Sequence, residues 1–489
     1  MIERLQGVSA PDNRPIRPQY SHRPGDRVVR RAVLETETVS LRPPRPHKRS
    51  INPALALILG FAGLILLGTI ILMLPFASTQ DGSVGFTAAL FTSTSAVCVT
   101  GLVVIDTGTG WTGFGQAVIL VLIQLGGFGF MTSATLLLLF LLGHRTSLQQ
   151  RLLLGQTMGG GLPGQVIKII KRIAIFTLAL EAIGATILFP RMLREMEVGE
   201  ALWWSIFHSV SAFNNAGFDL VGDFQSLIPY QHDVLIISTI GTLAVIGAVG
   251  YTVVADTVGT RGIWRRMSVD TRLVLSASAA FLVIGFVFIL VTEVPNPNTL
   301  GDRGWGSRVL DGVFYSMTPR TAGFTAIPMD EVNDETAFFT MATMFIGGGS
   351  GSTAGGIKIQ TFMLLFFAIL AAARNREQVV AFGREMPISL VFRALTVALV
   401  SIALLFTSAI ALTFFEPFSF LQILFETTSA YGTVGLSLGI TPELSEVSRM
   451  IVTVTMFIGR LGPLALVLAL AGSATPRATR YAQESVKIG

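Results

Sequence analysis

Charge, cysteine and histidine are all scarce in this chain of 489 residues. Charged side chains make up 13% of it, about half the roughly 25% typical of soluble domains, which excludes an ordinary water-soluble protein. The single cysteine, Cys98, excludes an intramolecular disulfide framework and reads as a small apolar filler. Five histidines and one thiol show no metal-ligand spacing. No Ser-His-Asp grouping has a context that would support catalysis, so the chain reads as no enzyme. The glycine-rich stretch near Lys358 is no phosphate loop, because Ile357 separates Gly356 from Lys358 and no strand precedes it. Residues 1–50 lack the apolar core of a signal peptide. They hold eleven Arg or Lys against five acids, which reads as a mostly disordered basic arm.

What the chain does contain is apolar. It is 51% hydrophobic, with a mean hydropathy of +0.64 and 50 glycines, the composition of an integral membrane protein whose helices pack closely in lipid. One short motif occurs four times, running from a Phe through small hydroxyl residues to a Gly followed by Leu or Phe. The copies are FTSTSAVCVTGL from Phe91, FHSVSAFNNAGF from Phe207, FYSMTPRTAGF from Phe314 and FETTSAYGTVGL from Phe425. Their glycines, Gly101, Gly217, Gly323 and Gly435, are 116, 106 and 112 residues apart, and the third copy is one residue shorter. Four such turns at near-equal spacing predict one pseudo-fourfold object. The fourth copy contains Thr433-Val434-Gly435, a tripeptide shared with potassium-channel filters, where backbone carbonyls replace the ion's hydration shell. Glycine tolerates the backbone angles that aim successive carbonyls to one side. Four hairpin loops meeting on an axis as a cation filter is the reading that follows.

Around each copy the same order recurs: a span of roughly 20 apolar residues, a short pore helix, the glycine turn, a second span. The predicted fold is therefore all-α integral membrane, with four helix–pore-helix–filter–helix repeats around a pseudo-fourfold pore. Its parts are a basic cytoplasmic arm at 1–50, repeat one at 51–145, repeat two at 146–260, repeat three at 261–375, repeat four at 376–472 and a cytoplasmic tail at 473–489. The spans include Val234–Ala255 and Phe338–Ala373 as second spans of repeats two and three. Asn52 and Pro53 predict a capped start of the first. Basic residues such as Arg145, Arg151, Lys171, Arg265 and Arg374 fall on the terminal side and acids such as Asp106, Asp219, Asp330 and Glu443 on the filter side. Both termini are then cytoplasmic, and an acidic outer mouth concentrates cations.

A second stretch stands out in mid-span of repeat three. Met344 to Lys358 holds six glycines, and irregular backbone at membrane depth is tolerated only inside protein or along a cavity. Gly347 follows Gly323 by 24 residues, as Gly459 follows Gly435, so this stretch predicts an intramembrane gating loop at 345–357 beneath the filter. The same position in repeat four brings Arg460, whose donors could hold carbonyls of that loop; the alternative is an Arg that snorkels or packs structurally. Glu181 either pairs with a neighbour, faces a subunit contact or lies at the interface. Arg320 either braces the filter or tunes its field. Asn214 and Asn215 could buttress the filter with their amides, and His208 reads as a satisfied pore-helix residue.

The four motif copies, the loop GGGSGSTAGGIK and the segment FIGRLGP together resemble the Trk/Ktr/HKT superfamily of potassium transporters, over roughly residues 51–472. The chain is most similar to the Ktr-type membrane subunit, having eight spans. The resemblance implies a potassium-binding filter formed by Val99, Thr100 and Gly101, by Asn215, Ala216 and Gly217, by Thr321, Ala322 and Gly323, and by Thr433, Val434 and Gly435. It implies a gate made of Gly347, Gly348, Gly349, Ser350, Gly351, Ser352, Thr353, Ala354, Gly355 and Gly356 with Arg460. Four filter glycines resemble the potassium-selective members. Potassium is then the substrate, with no cofactor in this chain. The implied partners are a second copy in a homodimer, a cytoplasmic ring of nucleotide-binding regulatory subunits and the bilayer, with no nucleic acid. The implied location is the plasma membrane, with multiple passes. A sodium-permeable or sodium-coupled transporter of the same architecture is the first alternative, and a secondary transporter for an organic solute the second.

Overall fold

The helices of this chain come in a short-and-long alternation that repeats. In a computed structural model, which describes residues 53–79, 82–144 and 162–462, the first repeat holds α1 (Pro53–Leu72), α2 (Phe86–Cys98), the single turn α3 (Thr107–Gly110) and α4 (Gly113–His144). The second holds α5 (Leu162–Met192), α6 (Val198–Asn214), α7 (Val234–Val249) and α8 (Tyr251–Gly259). The third holds α9 (Val269–Glu293), α10 (Trp305–Met317), α11 (Asp334–Phe345) and α12 (Ile359–Ala373). The fourth holds α13 (Ile388–Thr413), α14 (Phe420–Gly432) and α15 (Glu446–Leu461). The arm at 1–50, the cap residue Asn52, the link 145–161 and the tail at 473–489 lie outside the described residues.

The short helices α2, α6, α10 and α14 have 13, 17, 13 and 13 residues. At 1.5 Å per residue they are about 20–25 Å long, too short for a hydrocarbon core of about 30 Å. Each carries a motif Phe into the interior: Phe91, Phe207, Phe314 and Phe425 are all buried. The last span of each repeat packs against the short helix of the next. Thus α4 meets α6, α7 meets α10, α11 meets α14, and α15 returns to α2. One chain thereby closes a four-membered ring.

Among the described residues, three helices are long and apolar enough to cross a membrane. Their windows lie in Lys168–Met192, Val269–Glu293 and Ile388–Thr413, and a fourth candidate is the pair α7 and α8, bent by 88°. These spans leave large apolar side chains on their outer faces. On α9, Val283, Ile284, Val287 and Val291 are 52–70% exposed, a stripe that water disfavours and lipid accepts.

Two expected spans are discontinuous. Val234–Ala255 breaks at Gly250, whose φ of +88° belongs to neither flanking helix. Phe338–Ala373 breaks between Phe345 and Ile359, at the glycine-rich stretch. The link between α12 and α13, read only as a basic segment, contains a hairpin with Val379 opposite Met386. Its two turn residues, Phe382 and Gly383, both have positive φ, the requirement of a type I′ turn.

Candidate functional site

In repeats one, two and four the short helix ends on a left-handed residue. Val99 (φ 54°, ψ 54°), Asn215 (58°, 45°) and Thr433 (49°, 56°) take this conformation. The next N–H reaches back five residues: Thr100 to the Ser95 carbonyl at 2.8 Å, Ala216 to Ser211 at 2.8 Å and Val434 to Ser429 at 2.9 Å. This is a Schellman closure, normally completed by glycine. A β-branched Val or Thr there is an outlier, costing about 1–3 kcal/mol of local strain. Two residues on, Gly101, Gly217, Gly323 and Gly435 have φ of +93°, +70°, +77° and +94°. Thr100, Ala216, Ala322 and Val434 between them keep negative φ. Reversing the backbone hand at every second residue turns successive carbonyls toward one side, where a uniform strand would alternate them. Repeat three reaches the same pattern by a shorter path. Its helix ends on the right-handed Thr318, whose carbonyl takes the Ala322 N–H at 3.0 Å, and Thr321 supplies the positive φ of 77°.

These four turns touch one another in order. A Cβ added to Gly101 would lie 2.4 Å from the Ala216 carbonyl oxygen, and one on Gly217 would lie 2.9 Å from the Gly323 Cα. One on Gly323 would lie 2.5 Å from the Val434 oxygen, and one on Gly435 2.3 Å from the Thr100 oxygen. All four glycines also line a single cavity of about 550 Å³. The cavity continues past Asp106, Asp219, Asp223, Asp330 and Glu443. Burial pushes the Asp219 carboxyl up to about 7, against a lowering bond from the Val221 N–H, while the nearby Asp106 carboxylate adds to the rise. Buried oxygens on the same turns lack hydrogen-bond partners: Thr100 Oγ1, Asn215 Oδ1, Thr321 Oγ1 and Thr433 Oγ1. Buried oxygens without partners are rare, and oxygen is the donor type that suits hard cations.

The glycine-rich segment folds against the inner side of this ring. Ile346 and Ile357 form an isolated parallel bridge, so the segment leaves and re-enters the helix axis at nearly one point. Gly347 donates to the Ile357 carbonyl at 2.9 Å, and Gly349 to the Ala248 carbonyl at 2.8 Å. Gly348 lies so close to Ala248 that a Cβ would come within 2.4 Å of its carbonyl. Gly351 and Gly356 take φ of +73° and +63°. The Ser350 N–H bonds Gln360 at 3.0 Å, and the Ser352 hydroxyl bonds the Gly349 carbonyl at 2.6 Å. Thr353 touches the second motif turn, its Oγ1 accepting from Asn215 Nδ2 at 2.6 Å. Gly355 touches the fourth, its Cβ position lying 2.0 Å from Thr433 Oγ1.

Two cations hold this segment. Arg460, buried, donates to the Thr353 carbonyl at 2.5 Å and to the Gly126 carbonyl at 3.5 Å. Lys358 Nζ donates to the Ala354 and Gly355 carbonyls at 2.5 and 3.4 Å. Arg460 therefore does not snorkel. Lys358, present in the quoted motif, had no role assigned from sequence.

The remaining candidates separate. Glu181 is buried and accepts from Asn214 Nδ2 at 2.9 Å and Gln124 Nε2 at 3.2 Å; it pairs with neighbours. Asn214 thus braces α6 from behind, while Asn215 engages the glycine segment instead. Arg320 donates to the Ser278 hydroxyl at 2.9 Å and carbonyl at 3.3 Å, tying the third turn to α9. His208 Nδ1 donates to the Trp204 carbonyl at 2.9 Å, while Nε2 accepts the Leu220 N–H at 3.3 Å, so both ring nitrogens are satisfied.

The family model described as "TrkH: Cation transport protein" matches residues 54–475. The chain belongs to the TrkH family of cation transport proteins. As a TrkH-family member it is a multi-pass membrane protein and a transporter rather than an enzyme. It is 40% identical to Ktr system potassium uptake protein B of Bacillus subtilis, over 86% of this chain and 93% of that one. It is 37% identical to the protein of the same name in Vibrio alginolyticus, covering 88% and 94% of the two chains. Potassium/sodium uptake protein NtpJ of Enterococcus hirae is 35% identical, over 90% and 98%. The crystal structure of the potassium transporter TrkH from Vibrio parahaemolyticus superposes with a TM-score of 0.69 at 19% identity, over 88% of this chain and 86% of that one. That likeness places the four-repeat TrkH fold here.

Proposed function

We propose that this TrkH-family chain takes up potassium across the plasma membrane. The observation that carries the reading is the closed ring of four glycine turns, each alternating backbone hand over three residues and each abutting the next. In this reading Val99-Thr100-Gly101, Asn215-Ala216-Gly217, Thr321-Ala322-Gly323 and Thr433-Val434-Gly435 are the filter. Their carbonyls replace the ion's water, and the acidic outer cavity raises local cation concentration. The segment Gly347–Gly356 is the gate, held under the filter by Arg460. Its withdrawal removes the obstruction beneath the filter. An inside-negative potential of 100 mV contributes about 2.3 kcal/mol per charge, enough to concentrate potassium about fiftyfold without a coupling ion.

Two relatives are named as parts of a Ktr system, which supports a cytoplasmic regulatory partner for this chain. A nucleotide-binding ring beneath a homodimer, with both termini cytoplasmic, is the arrangement proposed. A sodium-permeable version is the second reading, supported by the potassium/sodium name of the Enterococcus relative.

The test is rubidium uptake and potassium-dependent growth in cells lacking their own potassium uptake systems, with the cytoplasmic partner co-expressed. Rescue at low potassium, with sodium a weak competitor, supports the reading. Expressed, membrane-inserted protein that carries no rubidium, or that follows sodium, overturns the potassium version.

A further inference from the structure

The residue after each motif Phe points to a device that the repeats do not share. These residues are Thr92, His208, Tyr315 and Glu426. Thr92 Oγ1 has no hydrogen-bond partner, and the Tyr315 hydroxyl meets Thr340 Oγ1 at 2.6 Å on the following span. The other two reach across to the loop just beyond their own filter glycine. His208 Nε2 takes the Leu220 N–H at 3.3 Å, three residues after Gly217. Glu426 accepts from the Ser437 hydroxyl at 2.8 Å and from the Thr441 hydroxyl, two and six residues after Gly435. Thr441 Oγ1 also meets Ser437 Oγ at 2.9 Å, closing a triangle.

Repeats two and four lie diagonally in the ring, since each turn abuts only its sequence neighbours and the fourth returns to the first. In two opposite repeats the residue after the motif Phe thus ties its pore helix directly to the loop beyond the filter glycine, and in the other two the residue at that position does not. Glu426 is fully buried, and among the described residues no basic side chain forms an ion pair with it. Ser437 and Thr441 form part of the outer cavity wall, so one hydroxyl layer separates the carboxyl from the ion path. A buried carboxyl without a cation is costly, and its only evident return here is geometric control of that loop.

We propose that Glu426 is a positioning residue that fixes the outer end of the repeat-four filter loop through Ser437 and Thr441, and that the ion preference of the pore depends on it. This rests on the filter reading above. The mechanism is mechanical: with the hydroxyls held, Leu436 and the Gly435 carbonyl keep their distance from the Gly101 turn.

The experiment compares rubidium and sodium uptake, with KM and Vmax for each, in wild type, Glu426→Ala, Glu426→Gln and the double variant Ser437→Ala/Thr441→Val. The expected result is a fall of about tenfold in the rubidium-over-sodium ratio for Glu426→Ala. It should appear as a raised rubidium KM with Vmax held, with partial rescue by Gln, which keeps one acceptor. The double hydroxyl variant should reproduce the fall, and adding Glu426→Ala to it should change little more. An unchanged ratio in the double variant overturns the proposal even if Glu426→Ala fails to fold. So does a loss of Vmax alone. Absence of rubidium preference in wild type would instead reject the filter reading itself.

Discussion

Replacing Gly435 by alanine isolates the central geometric claim. The added Cβ would lie 2.3 Å from the Thr100 carbonyl oxygen, where ordinary contact starts at 3.4 Å, so the fourth and first turns must separate by about 1.1 Å. The φ of +94° adds a second penalty, about 1–2 kcal/mol for an L residue in left-handed backbone. Gly439 separates the two effects. Its φ is +90°, but its added Cβ meets nothing nearer than the Asp330 Cβ at 3.8 Å. Both variants should therefore lose stability in a thermal melt through the shared backbone penalty, Gly435→Ala the more because of its clash. Only Gly435→Ala should displace a carbonyl from the ring. Losing about 1.4 kcal/mol of discriminating coordination lowers the potassium-over-sodium ratio about tenfold. The assay is reversal potential in proteoliposomes with opposed potassium and sodium gradients. A Gly435→Ala protein that folds, conducts and keeps the wild-type reversal potential would refute the reasoning. So would Gly439→Ala shifting it equally.

Arg460→Ala removes donors to the Thr353 and Gly126 carbonyls and should raise rubidium leak in the absence of the cytoplasmic partner; unchanged leak in well-expressed protein contradicts the gate. Asp233 caps α7 by accepting from Leu235 and Ile236 N–H, both at 3.0 Å, and pairs with Arg191. Asp233→Ala should cost about 1–2 kcal/mol in a thermal melt with ion preference intact. Glu181→Leu should take the acceptor from the Gln124 amide and one of three acceptors from the Asn214 amide, costing about 1–3 kcal/mol read as a lower melting temperature; no change would mean that the Gln124–Glu181–Asn214 contact is idle.

Repetition made much of the fold legible. Four motif copies located four short helices and four turns, because each copy pairs a buried Phe with a glycine that must take positive φ. The break in repeat three was legible from glycine density. The break at Gly250 was not, because Val234–Ala255 is apolar on both sides and also holds Gly241 and Gly247, which stay inside the helix. What decides it is tertiary: a Cβ there would lie 3.1 Å from Ser352 of the glycine segment. Glu426 stood in plain view as the only acid in any motif copy. Its role depends on Ser437 and Thr441 folding back over it, a contact that spacing alone does not reveal. The left-handed Val99 and Thr433 run against local preference, since β-branched residues avoid that region. Strain of this kind at a functional turn is imposed by the ring, not by the segment.

Anomalous diffraction from crystals soaked in rubidium tests the filter most directly. The account predicts rubidium on the axis of the four turns, within coordination distance of the Thr100, Ala216, Ala322 and Val434 carbonyls. Rubidium bound elsewhere, with none in the ring at concentrations that saturate uptake, would contradict it.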